Sequence, residues 1–192
     1  MSESPDRVSP LAAIAAPAVA LETAVVFTVR TALTMIDVRG GKEAPLHASA
    51  RAALGTDLPI APNTSAAMAG GVILWLGPDQ WLLVGEGSPS WSMPLASGVT
   101  HTDVSHGRVV VRVTGARALD ILSKGCMLDL HPKTFRARMC MQTTIAKIPV
   151  IVHRIGRGNE YDLYAPRSYA RSLWRWLSRS AEEYGYHVGP VP

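Results

Sequence analysis

The sequence predicts an α+β domain built on antiparallel sheet, and three observations carry that prediction. Val109, Val111 and Val113 alternate with Val110 and Arg112, the period-2 pattern of a strand with one well-buried face. Two apolar hairpins fold over Gly77-Pro78-Asp79-Gln80 and Gly156-Arg157-Gly158-Asn159, where Pro and Gly supply the backbone angles of tight turns. Helical spacing is confined to short stretches, at Ala118, Leu119 and Leu122 and again beyond Pro166. The order β-α-β-β-(short α)-β followed by β-α-β-β-β-α is a weak pseudo-repeat of two ferredoxin-like antiparallel β/α halves, with helices to one side.

Length and composition narrow the class. A chain of 192 residues, 47% apolar and 18% charged, suits one compact domain with ample core. The division is an extended N-terminal arm over 1–21 and a single domain over 22–192. A net charge of +4, with Arg spread along the chain, gives no nucleic-acid footprint. No apolar run reaches the roughly 18 to 20 residues of a membrane span, so no membrane partner is expected. Two cysteines, Cys126 and Cys140, make no disulfide framework, which points to a cytoplasmic protein.

From the start, Pro5, Pro10 and Pro17 break any helix in the arm. Its apolar stretch Leu11–Ala20 lacks the cationic flank of an export signal. Val25, Phe27 and Val29 alternate, followed by Leu33 and Met35, giving two strands or one bent strand, with Gly40-Gly41 as the break. Leu46–Leu54 is a short helix ended by Gly55. Residues 66–71 read as a loop by composition. Val72–Leu76 and Trp81–Val84 form a hairpin, with Trp75 and Trp81 as cross-strand packing. Residues 88–98, around Trp91, are a loop or a single helical turn. After the Val109–Val113 strand, Thr114-Gly115 offers a stop and a helix N-cap, and Gly125 a helix end. Cys140–Lys147, Val150–Arg154 and Tyr161–Tyr164 are strands. A last helix then runs from Pro166 to about Tyr184.

Candidate site residues fall in three places. Asp103, Ser105 and His106 have the residue types of a hydrolase triad. In extended chain, however, Asp103 and Ser105 share a face and His106 points away, so the relay cannot form locally. They read instead as a structural loop fixed by its own hydrogen bonds. Cys126, Asp129, His131 and Cys140 are metal-ligand types without the paired short spacing of a zinc site. They read as buried cysteines and loop polars. No G-x4-G-K-[ST] and no G-x-G-x-x-G occurs, so no nucleotide cofactor is expected on this chain.

On the last helix, Tyr169, Leu173, Trp176, Leu177 and Tyr184 form the expected core face. Arg167, Arg171, Arg175 and Arg179 recur every fourth residue on the other side, a run of like charges that repel one another. Both a solvated face and a partner-facing one fit that stripe. Trp174, between the two faces, favours the partner, since Arg and Trp are enriched in interface hot spots.

The stretch DVSHGRVVVRVTGARALDIL at Asp103–Leu122 resembles the glycine-cleavage T-protein superfamily, aminomethyltransferases that bind tetrahydrofolate. With KGCMLDLHP at Lys124–Pro132, LGPDQWLLV at Leu76–Val84 and YDLYAPRSYARSLWRWL at Tyr161–Leu177, the likeness narrows to one branch. Across roughly residues 70 to 186 the chain is similar to the gamma subunit of heterotetrameric sarcosine oxidase. The resemblance implies a T-protein-like fold and a non-catalytic, structural role on this chain. It further implies that FAD, FMN, NAD, zinc and tetrahydrofolate are held by partner subunits. The partners would be the α, β and δ subunits, α foremost, in a complex that oxidatively demethylates sarcosine to glycine. A complex acting on another N-methyl amino acid would look the same. The rival reading is a stand-alone folate-binding aminomethyltransferase-like protein, against which the chain is about half the length such enzymes need.

Overall fold

The computed structural model describes residues 9–11, 24–40, 44–87 and 99–189. Most of the expected arm, Gly41-Lys42 and the Trp91 loop lie outside the described residues.

In chain order the first elements are β1 (Val25–Arg30), β2 (Leu33–Gly40), α1 (Ala44–Leu54), β3 (Ser65–Met68), β4 (Gly71–Gly77), β5 (Gln80–Glu86) and β6 (Val99–Asp103). Next come β7 (Arg108–Thr114), α2 (Ala118–Ser123), β8 (Cys140–Ile145), β9 (Ile148–Arg154) and β10 (Glu160–Pro166). The last are α3 (Ala170–Ala181) and β11 (Tyr186–Val188). They build one sheet in the order β11-β1-β7-β10-β9-β8 and a second in the order β3-β4-β5-β2-β6. Neighbouring strands are antiparallel except β1 and β11, which are parallel.

Strand alternation then dictates the layers. Phe27, Val29, Val111, Val113 and Leu163 share a core with Ile121 and Leu122 of α2 and Leu173 and Leu177 of α3. The opposite face of that sheet presents Val110, Cys140, Ile151 and Tyr164 to Leu33, Met35, Leu74 and Leu82 of the second sheet. The second sheet turns Val38, Ile73, Trp81 and Leu83 outward onto Leu46, Ala50 and Leu54 of α1. The result is a helix/sheet/sheet/helix sandwich of α+β class. Leu11, from the arm, is fully buried in the core beneath α2 and α3.

The Val25–Met35 region is two strands, and they part into different sheets with Ala32 at φ 52° between them. Of residues 66–71, expected as a loop by composition, 66–68 belong to the edge strand β3 against β4, and Gly71 opens β4. Thr114 does not cap α2. Gly115 at φ 115° turns the chain so tightly that a Cβ there would lie 2.4 Å from the Ala24 carbonyl, and the helix begins three residues later behind Arg117. Trp75 and Trp81 sit opposite each other in the β4–β5 register. Trp81 is also edge-on to His47 of α1 and donates its indole N–H to the Pro59 carbonyl at 2.8 Å.

Candidate functional site

The Asp103–Gly107 segment links β6 of one sheet to β7 of the other. The Ser105 amide donates to Asp103 Oδ1 at 2.8 Å, closing a local turn. Ser105 is buried and its hydroxyl oxygen accepts the Met35 amide at 2.8 Å, while the Val104 amide donates to the Met35 carbonyl at 2.9 Å. A side chain thus extends the β2–β6 ladder by one bond. His106 is exposed on a single 3-10 turn. Asp103 Oδ1 and the Ser105 hydroxyl are both engaged with backbone, and His106 lies exposed on the 3-10 turn rather than against Ser105 Oγ.

The last helix corrects one expectation. Pro166 ends β10, a 3-10 turn covers Arg167–Tyr169, and α3 starts at Ala170. That turn takes Tyr169 out of phase with the helix. Ala170, Leu173, Trp174, Leu177 and Ala181 are buried and fall within an arc of about 100° at helical spacing. Trp174 is 4% exposed and meets Phe27 edge-on at 5.9 Å, so it is a core residue and presents nothing to a partner. Tyr169, expected in the core, is 42% exposed. Trp176 is half-buried and lies over Gly125, where a Cβ would come within 2.5 Å of its ring. Lys124 completes this seam by reaching the Ser180 carbonyl at 2.6 Å, the Glu183 carboxylate and the face of Tyr184. Arg167, Arg171, Arg175 and Arg179 are all exposed.

Metal-ligand types among the described residues do not converge. Cys126 bridges to Ile145 at one end of β8, whereas Cys140 sits at the other. Burial raises the Cys140 thiol to about 12, and its sulfur lies 3.2 and 3.4 Å from the carbonyls of Thr64 and Trp75. Asp129 is committed to the His131 amide and the Thr134 hydroxyl, which hold its carboxyl below the usual range.

A cluster invisible to motif reading lies between the sheets. Thr28, Arg112, Asp162 and His153 are successive cross-strand neighbours on β1, β7, β10 and β9. Arg112 forks onto Asp162 at 2.8 and 2.9 Å and reaches Glu160 at 3.2 Å. The bidentate bond keeps its guanidinium pKa above the ordinary value. Arg30 lies 3.9 Å from the same aspartate and 2.6 Å from Glu86 of the second sheet. His153 is 4% exposed, and its Nε2 is 3.0 Å from Ser65 Oγ. The Ser65 hydroxyl proton goes to the Arg138 carbonyl at 2.9 Å, so Nε2 carries the imidazole proton and donates. Burial pushes His153 down to about 4, leaving the ring neutral near pH 7. Burial likewise raises the Tyr164 phenol well above its ordinary value. Arg30, Arg112, His153, Asp162 and Tyr164 line one side of a cavity of about 500 Å³. The cue was present: Arg112 and Asp162 interrupt strands that are otherwise apolar. Only the register reveals that they pair.

The model of the sarcosine oxidase, gamma subunit family matches residues 39–183. The chain belongs to that family. A Corynebacterium sp. (strain U-96) protein described as sarcosine oxidase subunit gamma is 31% identical over 90% of this chain and 87% of its own length. An Arthrobacter sp. protein of the same description is 33% identical over 79% and 77%. Among solved structures, a chain of the heterotetrameric sarcosine oxidase from Corynebacterium sp. U-96, in complex with pyrrole 2-carboxylate, superposes with a TM-score of 0.83. It is 31% identical, and the match covers 93% of this chain and 96% of that one. The glycine cleavage system aminomethyltransferase T from Bartonella henselae matches at a TM-score of 0.66 and 15% identity, over 88% of this chain and 48% of its own. That second likeness speaks to fold alone. The fold of this gamma-family chain is therefore T-protein-like, spanning about half of the aminomethyltransferase.

Proposed function

We propose that this chain is the non-catalytic gamma subunit of a heterotetrameric sarcosine oxidase, which oxidatively demethylates sarcosine to glycine. The match over more than nine-tenths of both lengths to a chain of such an oxidase carries the reading. The α, β and δ subunits hold FAD, FMN, NAD, zinc and tetrahydrofolate, and this chain supplies surface and rigidity. Its acid–base groups fit that division. Ser105 serves the Met35 backbone, Asp162 is forked by Arg112, and His153 is buried against Ser65. Co-expression with the other three subunits should yield sarcosine-dependent hydrogen peroxide. Leaving this chain out should lower the yield of assembled enzyme rather than change the chemistry of what assembles. An assembly that forms and turns over equally well without it would refute the role.

The α subunit is the partner we assign to α3. Arg171, Arg175 and Arg179 are exposed and form no ion pair among the described residues, and Arg167 heads the same face. Like charges at i, i+4 cost an isolated helix a few tenths of a kcal/mol per pair, roughly, a sign that an acidic partner surface reverses. Changing Arg171, Arg175 and Arg179 together to Glu should abolish co-purification with α while leaving the circular dichroism unchanged. Full co-purification of that variant would mean that the face is solvated.

A further inference from the structure

The space between the sheets has two unlike walls. One is the ion-pair row of Arg30, Asp162 and Arg112 with His153 behind it; the other is apolar, formed by Leu33, Val72 and Val84. Cavities of about 300–1,000 Å³ with mostly apolar walls and a few convergent polar groups are the usual form of a small-molecule site. The cavity here, at about 500 Å³, is within that range. Two of its guanidiniums are already occupied, Arg30 by Glu86 and Arg112 by Asp162 and Glu160.

Arg138 differs. It lines this cavity and a neighbouring one of about 380 Å³ that shares Ser65 with it. Its guanidinium forms no ion pair among the described residues. Its backbone is in the left-handed region at φ 65°, which a residue with a Cβ rarely adopts. Three hydrogen bonds hold it there. The carbonyl accepts the Ser65 amide at 2.8 Å and the Ser65 hydroxyl at 2.9 Å, and the amide donates to the Arg154 carbonyl at 2.8 Å. A strained backbone fixed from three sides places an exposed arginine without an ion-pair partner among the described residues at the rim of a cavity with an apolar wall.

We propose that this cavity binds a small organic carboxylate with an apolar body, the carboxylate on Arg138 and the body against Val72 and Val84. The charges select a monoanion. A cationic ligand would meet the unpaired guanidinium, whereas a phosphate dianion would bring its second charge beside Glu86 and Asp162. Gly71 lies in the same wall, where a Cβ would come 2.1 Å from the Val84 carbonyl, so β4 and β5 meet there at backbone distance.

The test uses the full chain and two probes of one shape, 2-naphthoate and its uncharged isostere 2-naphthamide, followed by saturation-transfer NMR and fluorescence titration. Naphthoate should bind saturably at one site, and the amide at least tenfold more weakly. Arg138→Ala should bring naphthoate down to the level of the amide, whereas Arg175→Ala on the far helix should leave it unchanged. Ala67→Trp, which fills the cavity, should abolish both. Should Arg138→Ala fail to fold because of its backbone angle, Arg138→Asn tolerates that angle, and the two-probe comparison on the unaltered chain stands by itself. Absence of saturable naphthoate binding, equal binding of acid and amide, or full binding by either Arg138 variant would each overturn the proposal.

Discussion

His153 gives the sharpest link between structure and a solution measurement. In the folded chain the ring is 4% exposed and donates to Ser65 Oγ at 3.0 Å, and burial lowers its pKa from 6.5 to about 4. Between those values the unfolded chain binds a proton that the folded chain refuses, so stability falls as pH falls. The contribution is intact above about pH 6.5 and lost progressively down to about 4, where it levels off. At about 1.4 kcal/mol per pH unit, the loss over that window is about 3 kcal/mol. His153→Gln keeps an N–H donor for Ser65 and removes the titration. Urea unfolding of both proteins from pH 7.5 to 3.5 should show the difference between their stabilities shifting by about 3 kcal/mol against the histidine protein as pH falls. Other carboxylates and histidines titrate in both proteins and cancel. Two parallel curves would show that His153 is protonated in place or exchanges with solvent, and the buried-neutral assignment would be wrong.

Trp174→Ala should cost about 3–5 kcal/mol, as large-to-small changes do in a packed core, read as a fall in the urea midpoint; a change within about 0.5 kcal/mol would return Trp174 to the surface. Gly125→Ala forces a methyl into the Trp176 ring and should cost about 1–3 kcal/mol, and pairing it with Trp176→Leu should recover most of that loss. His106→Gln should leave turnover of the assembled oxidase within a few-fold, since removal of a general base costs about 10²–10⁴-fold; a loss of that size with assembly intact would make the loop catalytic.

Much of the fold was legible because its cues are local. The β7 alternation, the Pro78-Asp79 and Gly156–Asn159 turns and the helix after Pro166 each declare themselves within a dozen residues. What was not legible depends on distant partners. The two strands around Ala32 carry similar patterns, and nothing within them says that β1 joins β7 while β2 joins β5. Trp174 belongs to the core because the buried arc of α3 is edged by Ala170 and Ala181, whose small side chains carry little hydrophobic signal, rather than by Tyr169 and Trp176; the 3-10 turn at Arg167–Tyr169 takes Tyr169 out of phase with the helix. The polar row of Arg30, Arg112, Asp162 and His153 draws on four strands, so its members are neighbours only once the register is known. The branch-specific stretches, by contrast, have plain physical reasons. In KGC, Gly125 makes room for Trp176 and Lys124 ties down Ser180 and Glu183. In LGPDQW, the turn residue Asp79 takes φ 59° and Trp81 anchors α1.

Membership of a four-subunit oxidase, in a structural role, can be read by native mass spectrometry of the complex purified through a tag on this chain. The complex should contain one copy each of four different chains, with flavin and zinc retained by the complex and none of either on this chain once it is released. A tagged chain that emerges alone, or one that carries flavin or zinc after release, would contradict it.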